Sequence, residues 1–205
     1  MSGLQAFAKR LFDLTLALIG VLATLPVMVP AVIAATIDTR RFGLFVQPRV
    51  GRNGKVFPLL KVRTMRHDRD RTTSVTTADD PRITRLGALL RRFRIDELPQ
   101  LVNVAAGHMS LVGPRPDVPG FADLLEGDDR LVLSVRPGIT GPATLKYRHE
   151  AEILASVDDP ESYNREVIFP DKVAINRRYV EEYSFGKDLE YLVQTLRSIA
   201  GREAS

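Results

Sequence analysis

Apolar positions change their spacing several times along the chain, and each change marks an element. From Leu14 to Ile37 runs LTLALIGVLATLPVMVPAVIAATI, 24 residues without a charge. At the helical rise per residue this stretch is long enough to cross a bilayer core. It exceeds the apolar core of a signal peptide and leads into TRRFG, not a small-residue cleavage pattern, so it is expected to stay in the mature protein. Two topologies are open. The simplest is a single spanning helix. Against it, Lys9 and Arg10 precede the run and Arg40 and Arg41 follow it, and the cytoplasmic preference of basic residues draws both ends to one face. Pro26 and Pro30 also fall mid-run, where each removes a backbone hydrogen bond. A break there suits a re-entrant hairpin that enters and leaves by one leaflet, provided the freed carbonyls find partners.

Beyond residue 40 the apolar runs shorten. Phe45 to Val50 and Val56 to Met65 are rich in Val, Phe and Leu and flank GRNGK, whose Asn53-Gly54 pair signals a tight turn, so a β-hairpin ending in LLKVRTM is predicted. Residues 66 to 80 are polar and read as an exposed loop. Ile83, Leu86, Leu89, Leu90 and Phe93 then recur at helical spacing with arginines between them. That pattern fits a surface helix on a core and equally an interfacial helix with its arginines near phosphates. RIDELPQL follows, and the apolar pattern continues to a stop at Gly107. Prolines 114, 116 and 119 stiffen the backbone around Arg115, and a second turn of similar character runs from Arg136 to Gly141. Residues 150 to 166 are acid-rich, a mixture of helix and loop. A final helical stretch spans about Asp171 to Ile199, interrupted near Ser184-Phe185-Gly186.

Charge divides the chain. Residues 40 to 94 hold fifteen Lys or Arg against four acids, a net of +11, whereas 95 to 205 hold twelve against nineteen, a net of −7. The middle of the chain should therefore attract anions: nucleic acid, acidic lipid headgroups or a phosphorylated substrate. With no cysteine, and with His67, His108 and His149 lacking close ligand spacing, thiolate chemistry and a zinc site drop out. Any metal would be a hard cation on carboxylate oxygen. No Walker-type or GxGxxG glycine loop occurs, so phosphate binding would rest on arginine.

Asp96 and Glu97 have two readings. One is helix capping, since acids suit a helix N-terminus and Pro99 is tolerated in a first turn. The other is chemistry. A carboxylate attacking phosphorus must overcome like-charge repulsion, and Lys61, Arg63, Arg91, Arg92 and Arg115 lie on the flanking segments, where they could neutralise phosphoryl oxygens. On this reading the helix N-terminus helps keep Asp96 ionised, and Glu97 holds Mg²⁺ or handles protons.

These residues resemble the small monotopic phosphoglycosyl transferases of the bacterial sugar transferase family. The likeness covers nearly the whole chain: KRLFD before a proline-broken apolar segment, VGRNGKVFPLLKVRTM, DDPRITRLGALLRRFRIDELPQLVNVAAGHMSLVGPRP, RPGITGPA, and YVEEYSFGKDLEYLVQT. The resemblance implies transfer of a sugar 1-phosphate from a UDP-sugar to a polyprenol (undecaprenyl) phosphate at the cytoplasmic face of the bacterial inner membrane, with release of UMP. By position, Asp96 becomes the nucleophile of a covalent phosphosugar intermediate and Glu97 its partner, with Mg²⁺ bridging the two and the diphosphate. Lys61, Arg91 and Arg115 match the phosphate site, and Pro114 and Pro116 the rigid turn near the nucleotide. Arg63 and Arg136 are assigned to the same anion site, and Pro26 and Pro30 to the membrane break. The expected fold is α+β, mainly helical, with an N-terminal re-entrant membrane helix-hairpin over residues 1–40 and a catalytic domain over 41–205 that carries amphipathic interfacial helices and a small β-hairpin.

Two departures accompany the likeness. Where many members continue TGPA with a short glycine-containing segment, this chain has TLKYRHEAEILASVDDPESYNREVIFPDK, which leaves the sugar pocket unassigned. Leu25 precedes Pro26, and Pro30 adds a second break. The extra transmembrane helices of larger members are missing, which implies a minimal catalytic form. The expected partners are the UDP-sugar, the polyprenol phosphate and the bilayer, without nucleic acid. The competing reading is a membrane-anchored basic module that binds acidic lipid or nucleic acid.

Overall fold

A computed structural model describes residues 3–67 and 76–201. Residues 68–75 of the polar loop expected over 66–80 lie outside them. The apolar N-terminal segment forms one helix, α1 (Gly3–Thr39), which runs through both Pro26 and Pro30. The expected hairpin vertex is absent. Proline's fixed φ is itself helical, so each ring removes one hydrogen bond without ending the helix. The carbonyls of Leu22 and Pro26 lose their i+4 donors.

Both ends of α1 close on the same body. Near its start, Lys9 Nζ donates to Asp188 at 2.6 Å, Arg10 donates to the carbonyls of Val104 and Ala105 at 2.7 and 2.9 Å, and Asp13 Oδ1 accepts from the Leu111 N–H at 3.1 Å. Near its end, Thr36 Oγ1 accepts from the Gly43 N–H at 2.8 Å, and Ala31 and Ala35 pack against Val62 and Leu90. A helix that carried its first turns across a bilayer could not make the first set of contacts. Between the ends, Leu18, Ile19, Leu22, Val27, Val29 and Ile33 point outward.

The hairpin forms as its pattern predicts. Strands β1 (Leu44–Val50) and β2 (Val56–Val62) pair antiparallel from Leu44↔Val62 to Val50↔Val56, and Asn53 and Gly54 take the left-handed conformations that the turn requires. Helix α2 (Arg85–Arg92) starts at Thr84, whose hydroxyl accepts from the Gly87 N–H at 2.8 Å. Gly87 is needed at that point, because a Cβ there would run into the Thr64 carbonyl. A 3₁₀ turn (Ile95–Glu97) leads to α3 (Gln100–Ala105), and Gly107 beyond it has φ +86°.

Two short strands that the sequence pattern does not reveal, β3 (Ser110–Val112) and β4 (Gly138–Thr140), pair in parallel and bring the two proline-rich turns together. Helices α4 (Pro142–Lys146) and α5 (Glu150–Ala155) supply one wall of the cavity described below, and α6 (Pro160–Tyr163) follows. A π turn (Asn164–Ile168) joins α6 to α7 (Phe169–Glu181), and Ser184 caps α8 (Phe185–Ala200). The main core gathers Ala17 of α1, Phe57 and Leu59 of β2, Val104 of α3, Met109, Leu111 and Val112 around β3, and Tyr179 of α7. The N-terminal helix thus contributes to the core of the body that follows it.

Candidate active site

The residues around Asp96 are positioned by three short elements. Arg94 adopts a left-handed conformation with φ +58°, a strained choice for a side chain of this size, and so ends α2 sharply and starts the 3₁₀ turn that carries the two acids. Asp96 is no cap of the helix that follows, since α3 starts at Gln100 and no side-chain cap bond forms at Pro99. Both carboxylates are buried.

Glu97 is held tightly. Its Oε1 accepts from Arg115 Nη2 at 2.7 Å and from Arg94 Nη1 at 3.4 Å. Arg115 is presented by a turn stapled at both ends: the Gly138 N–H donates to the Pro114 carbonyl at 2.8 Å, and Arg49 Nη1 donates to the Pro116 carbonyl at 3.1 Å. Asp96 Oδ1, by contrast, is buried without a hydrogen-bond partner. Arg91 Nε donates to Thr64 Oγ1 at 2.9 Å, which fixes its guanidinium on the exit of β2.

These environments drive the acids apart. Burial, and next the neighbouring Glu97 charge, push Asp96 up to about 6, against the pull of Lys61, Arg91 and Arg94. Burial alone would raise Glu97 as well. Arg115, Lys61 and Arg94 more than offset it and hold Glu97 well below the usual carboxylate range. Lys61 falls to about 8, first through burial and then through the Arg115 charge. Burial likewise lowers Arg49 to about 10. Two adjacent carboxyls with opposed shifts are suited to separate tasks, one a fixed anion and the other a group that changes state.

The dyad lies in a cavity of about 1330 Å³. That is larger than the ~300–1,000 Å³ of ordinary small-molecule pockets and leaves room for an extended substrate. Lys61, Arg63, Arg91, Asp96, Glu97, Pro114, Arg115 and Pro116 all line it, so most of the residues singled out in the sequence meet in space. Arg63 sits at its margin, with Nε donating to the Phe42 carbonyl and its guanidinium over the Phe45 ring. Arg136 does not join them. Its Nε donates to the Gly107 carbonyl at 2.8 Å, on the side of the ladder that faces Arg10, and it lies outside the cavity lining. A charge beside a Pro-Gly turn reveals nothing about which way it points. Pro26 and Pro30 are also outside the lining, within α1.

Sequence reasoning missed Arg49, Arg94, Asp117 and Lys172, which also border the cavity. Arg94 opens RIDELPQL, and its left-handed break between α2 and the 3₁₀ turn shows only in the structure. Arg49 shows only as the one charge on a strand that also carries Gln47. Asp117 is pushed up to about 6 by burial, opposed by Lys172 and Arg49.

A basic cavity with a split carboxylate dyad at its wall suits a phosphorylated substrate. Residues 4–202 match the bacterial sugar transferase family. The chain belongs to that family. It is 39% identical over 153 residues to a putative undecaprenyl-phosphate N-acetylgalactosaminyl 1-phosphate transferase of Bacillus subtilis, covering 73% of this chain and 82% of the relative. It is 37% identical to an undecaprenyl-phosphate glucose phosphotransferase of Komagataeibacter xylinus, over 96% of this chain and 36% of the relative. It is 32% identical to a UDP-glucose:undecaprenyl-phosphate glucose-1-phosphate transferase of Escherichia coli, over 96% and 41%. The chain thus spans most of the first relative and less than half of the other two.

Proposed function

We propose that this chain transfers a sugar 1-phosphate from a UDP-sugar to a polyprenyl phosphate at a membrane surface, in two steps through Asp96. In the first step a carboxylate oxygen of Asp96 attacks the phosphorus that bears the sugar. The bond from that phosphorus to the bridging oxygen breaks, and UMP leaves with the electron pair. In the second step a phosphate oxygen of the acceptor attacks the same phosphorus, the aspartyl–phosphorus bond breaks, and the carboxylate is regenerated. The product is a polyprenyl diphosphate sugar.

The observation that carries this reading is the unpartnered Asp96 oxygen, flanked by Lys61, Arg91 and Arg94 and lying next to a carboxylate already locked on Arg115. Arg115 is held by Glu97, to which Arg94 also donates, while the charges of Lys61 and Arg91 act on Asp96. Lys61, Arg91 and Arg94 can neutralise the phosphoryl oxygens as Asp96 approaches.

The dyad also fits Mg²⁺. Among the described residues no group of three or more His, Cys, Asp or Glu gathers. Mg²⁺ commonly takes one or two carboxylates and completes its shell with substrate phosphates and water. Asp96 and Glu97 would hold it, and when bound it would add positive charge against the diphosphate.

Membrane attachment rests on α1, whose large apolar side chains face outward while both ends join the body. A helix embedded in one leaflet satisfies both facts, and the flanking basic residues favour the cytoplasmic side of a bacterial inner membrane.

The test is to incubate the detergent-purified chain with Mg²⁺, a polyprenyl phosphate and a panel of UDP-sugars and identify the nucleotide released. UMP that disappears in Asp96→Asn supports the proposal. UDP would mean cleavage at the sugar carbon and would overturn it.

A further inference from the structure

Native proteins leave few buried polar atoms unpartnered, so each such atom calls for an explanation. Among the described residues there are six such side-chain atoms, and four of them belong to residues that line the large cavity: Arg49 Nε, Asp96 Oδ1, Thr144 Oγ1 and Asn176 Oδ1. The first two are charged groups in an anion site. Thr144 and Asn176 are neutral, and the phosphoryl chemistry does not use them.

Asn176 is only 7% exposed and lies on α7, one helical turn after Lys172 and therefore on the same face. Lys172 binds Glu150 at 2.6 Å, and the charges of Lys172, Glu150 and Arg115 all act on Asp117. Lys172 and Asn176 of α7 line the same cavity as Glu97. Thr144 lies on α4, which packs on α7. It also lines a small, mostly apolar recess of about 170 Å³ that is bordered by Glu97 and Arg94. Thr144 thus shares one recess with Glu97 of the dyad, beside which the transferred part of a donor must sit.

We infer that Thr144 and Asn176 are specificity-determining contacts for the transferred sugar, reading its hydroxyl or amide N–H groups with neutral buried oxygens. This rests on the proposed function, and it gives a role to the 142–176 wall. The carbonyl of Asn176 can only accept, and the Thr144 hydroxyl can accept or donate. Neither suits a phosphate as well as the guanidinium groups across the cavity do. Both suit the substituents by which one sugar differs from another, and a site whose buried acceptors are left unpaired by the wrong substituent discriminates strongly.

The same neutral chemistry could be offered by the uracil or ribose of the nucleotide, and the experiment separates these sources. UMP release is followed for UDP-glucose, UDP-galactose and their two N-acetylhexosamine counterparts, with wild type, Thr144→Val, Thr144→Ser and Asn176→Leu. Product inhibition by UMP is measured beside it. Thr144→Val and Asn176→Leu are expected to reduce the kcat/KM ratio between preferred and disfavoured donors by about tenfold. The UMP inhibition constant should stay within about twofold, and Thr144→Ser should keep the wild-type ratio. Weaker UMP inhibition would place the contacts on the nucleoside and overturn the inference. So would an equal loss on every donor, or unchanged ratios in both variants. Because Thr144→Val is nearly isosteric and removes an unpartnered buried hydroxyl, it keeps the test open even if Asn176→Leu does not fold. If wild type releases no UMP from any donor, the proposed function falls and this inference with it. UMP release with unaltered ratios removes this inference alone.

Discussion

Asp96 and Glu97 share a functional group and a peptide bond, yet the fold assigns them opposite states. Activity that needs ionised Asp96 and protonated Lys61 should rise with pH through about 6 and fall again above about 8, as measured in kcat/KM of the free enzyme. Lys61→Arg keeps the cation at high pH, so the falling limb should move upward. Asp96→Asn should abolish UMP release and, because the raised Asp96 is least comfortable when ionised, should also raise Tm at pH 8. The sign follows from the shift: a carboxyl whose folded pKa exceeds its unfolded value costs stability above that range, so the gain should fade as pH falls through 6 toward 4. Arg115→Ala leaves a buried carboxylate without its main partner, at a cost of about 1–3 kcal/mol in stability, together with a loss of kcat/KM. The dyad was legible because two acids before a proline interrupt a run of arginines. Its charge state was not. A helix dipole was expected to keep Asp96 ionised, but α3 begins only at Gln100, and burial outweighs any such help.

At the scale of elements, α1 inverts the pattern of a soluble surface helix. Its buried positions are Lys9, Asp13 and Ala17, and again Ala31, Ala35 and Thr39, small or polar residues four apart. Its exposed positions are Leu, Ile, Val and Phe. That four-residue repeat was present in the sequence and marks the face that meets protein, whereas hydropathy alone reported only length. Lys9 and Asp188 form a buried pair that Tyr179 Oη extends by donating to Asp188 at 2.7 Å. Asp188→Ala should therefore destabilise the fold by about 3–5 kcal/mol, measured by denaturant unfolding, by stranding the Lys9 ammonium in the α1–α8 seam. The hairpin was readable from its Asn-Gly turn and alternating strands. Strands β3 and β4 were not, because three-residue strands beside Gly and Pro carry no period, and only their long-range pairing defines them.

Over the whole molecule, the division of charge becomes a division of labour. The basic middle of the chain lines the cavity through β2, α2 and the Arg94 break. From the later, net acidic portion, the 142–176 wall and the Arg115 turn complete that cavity. Since both ends of α1 dock on this body, cysteines introduced at Gly3 and Glu190 should label from the same side of sealed vesicles, and labelling from opposite sides would restore a spanning helix. The most direct test of the account is the mass of the intact protein after brief exposure to a UDP-sugar with Mg²⁺ and no acceptor lipid. The account predicts one equivalent of UMP and a mass gain of one sugar phosphate that maps to Asp96 and is lost on adding polyprenyl phosphate. Turnover to lipid-linked product by a variant with Asp96→Asn, or by wild type that never carries the adduct, would contradict it.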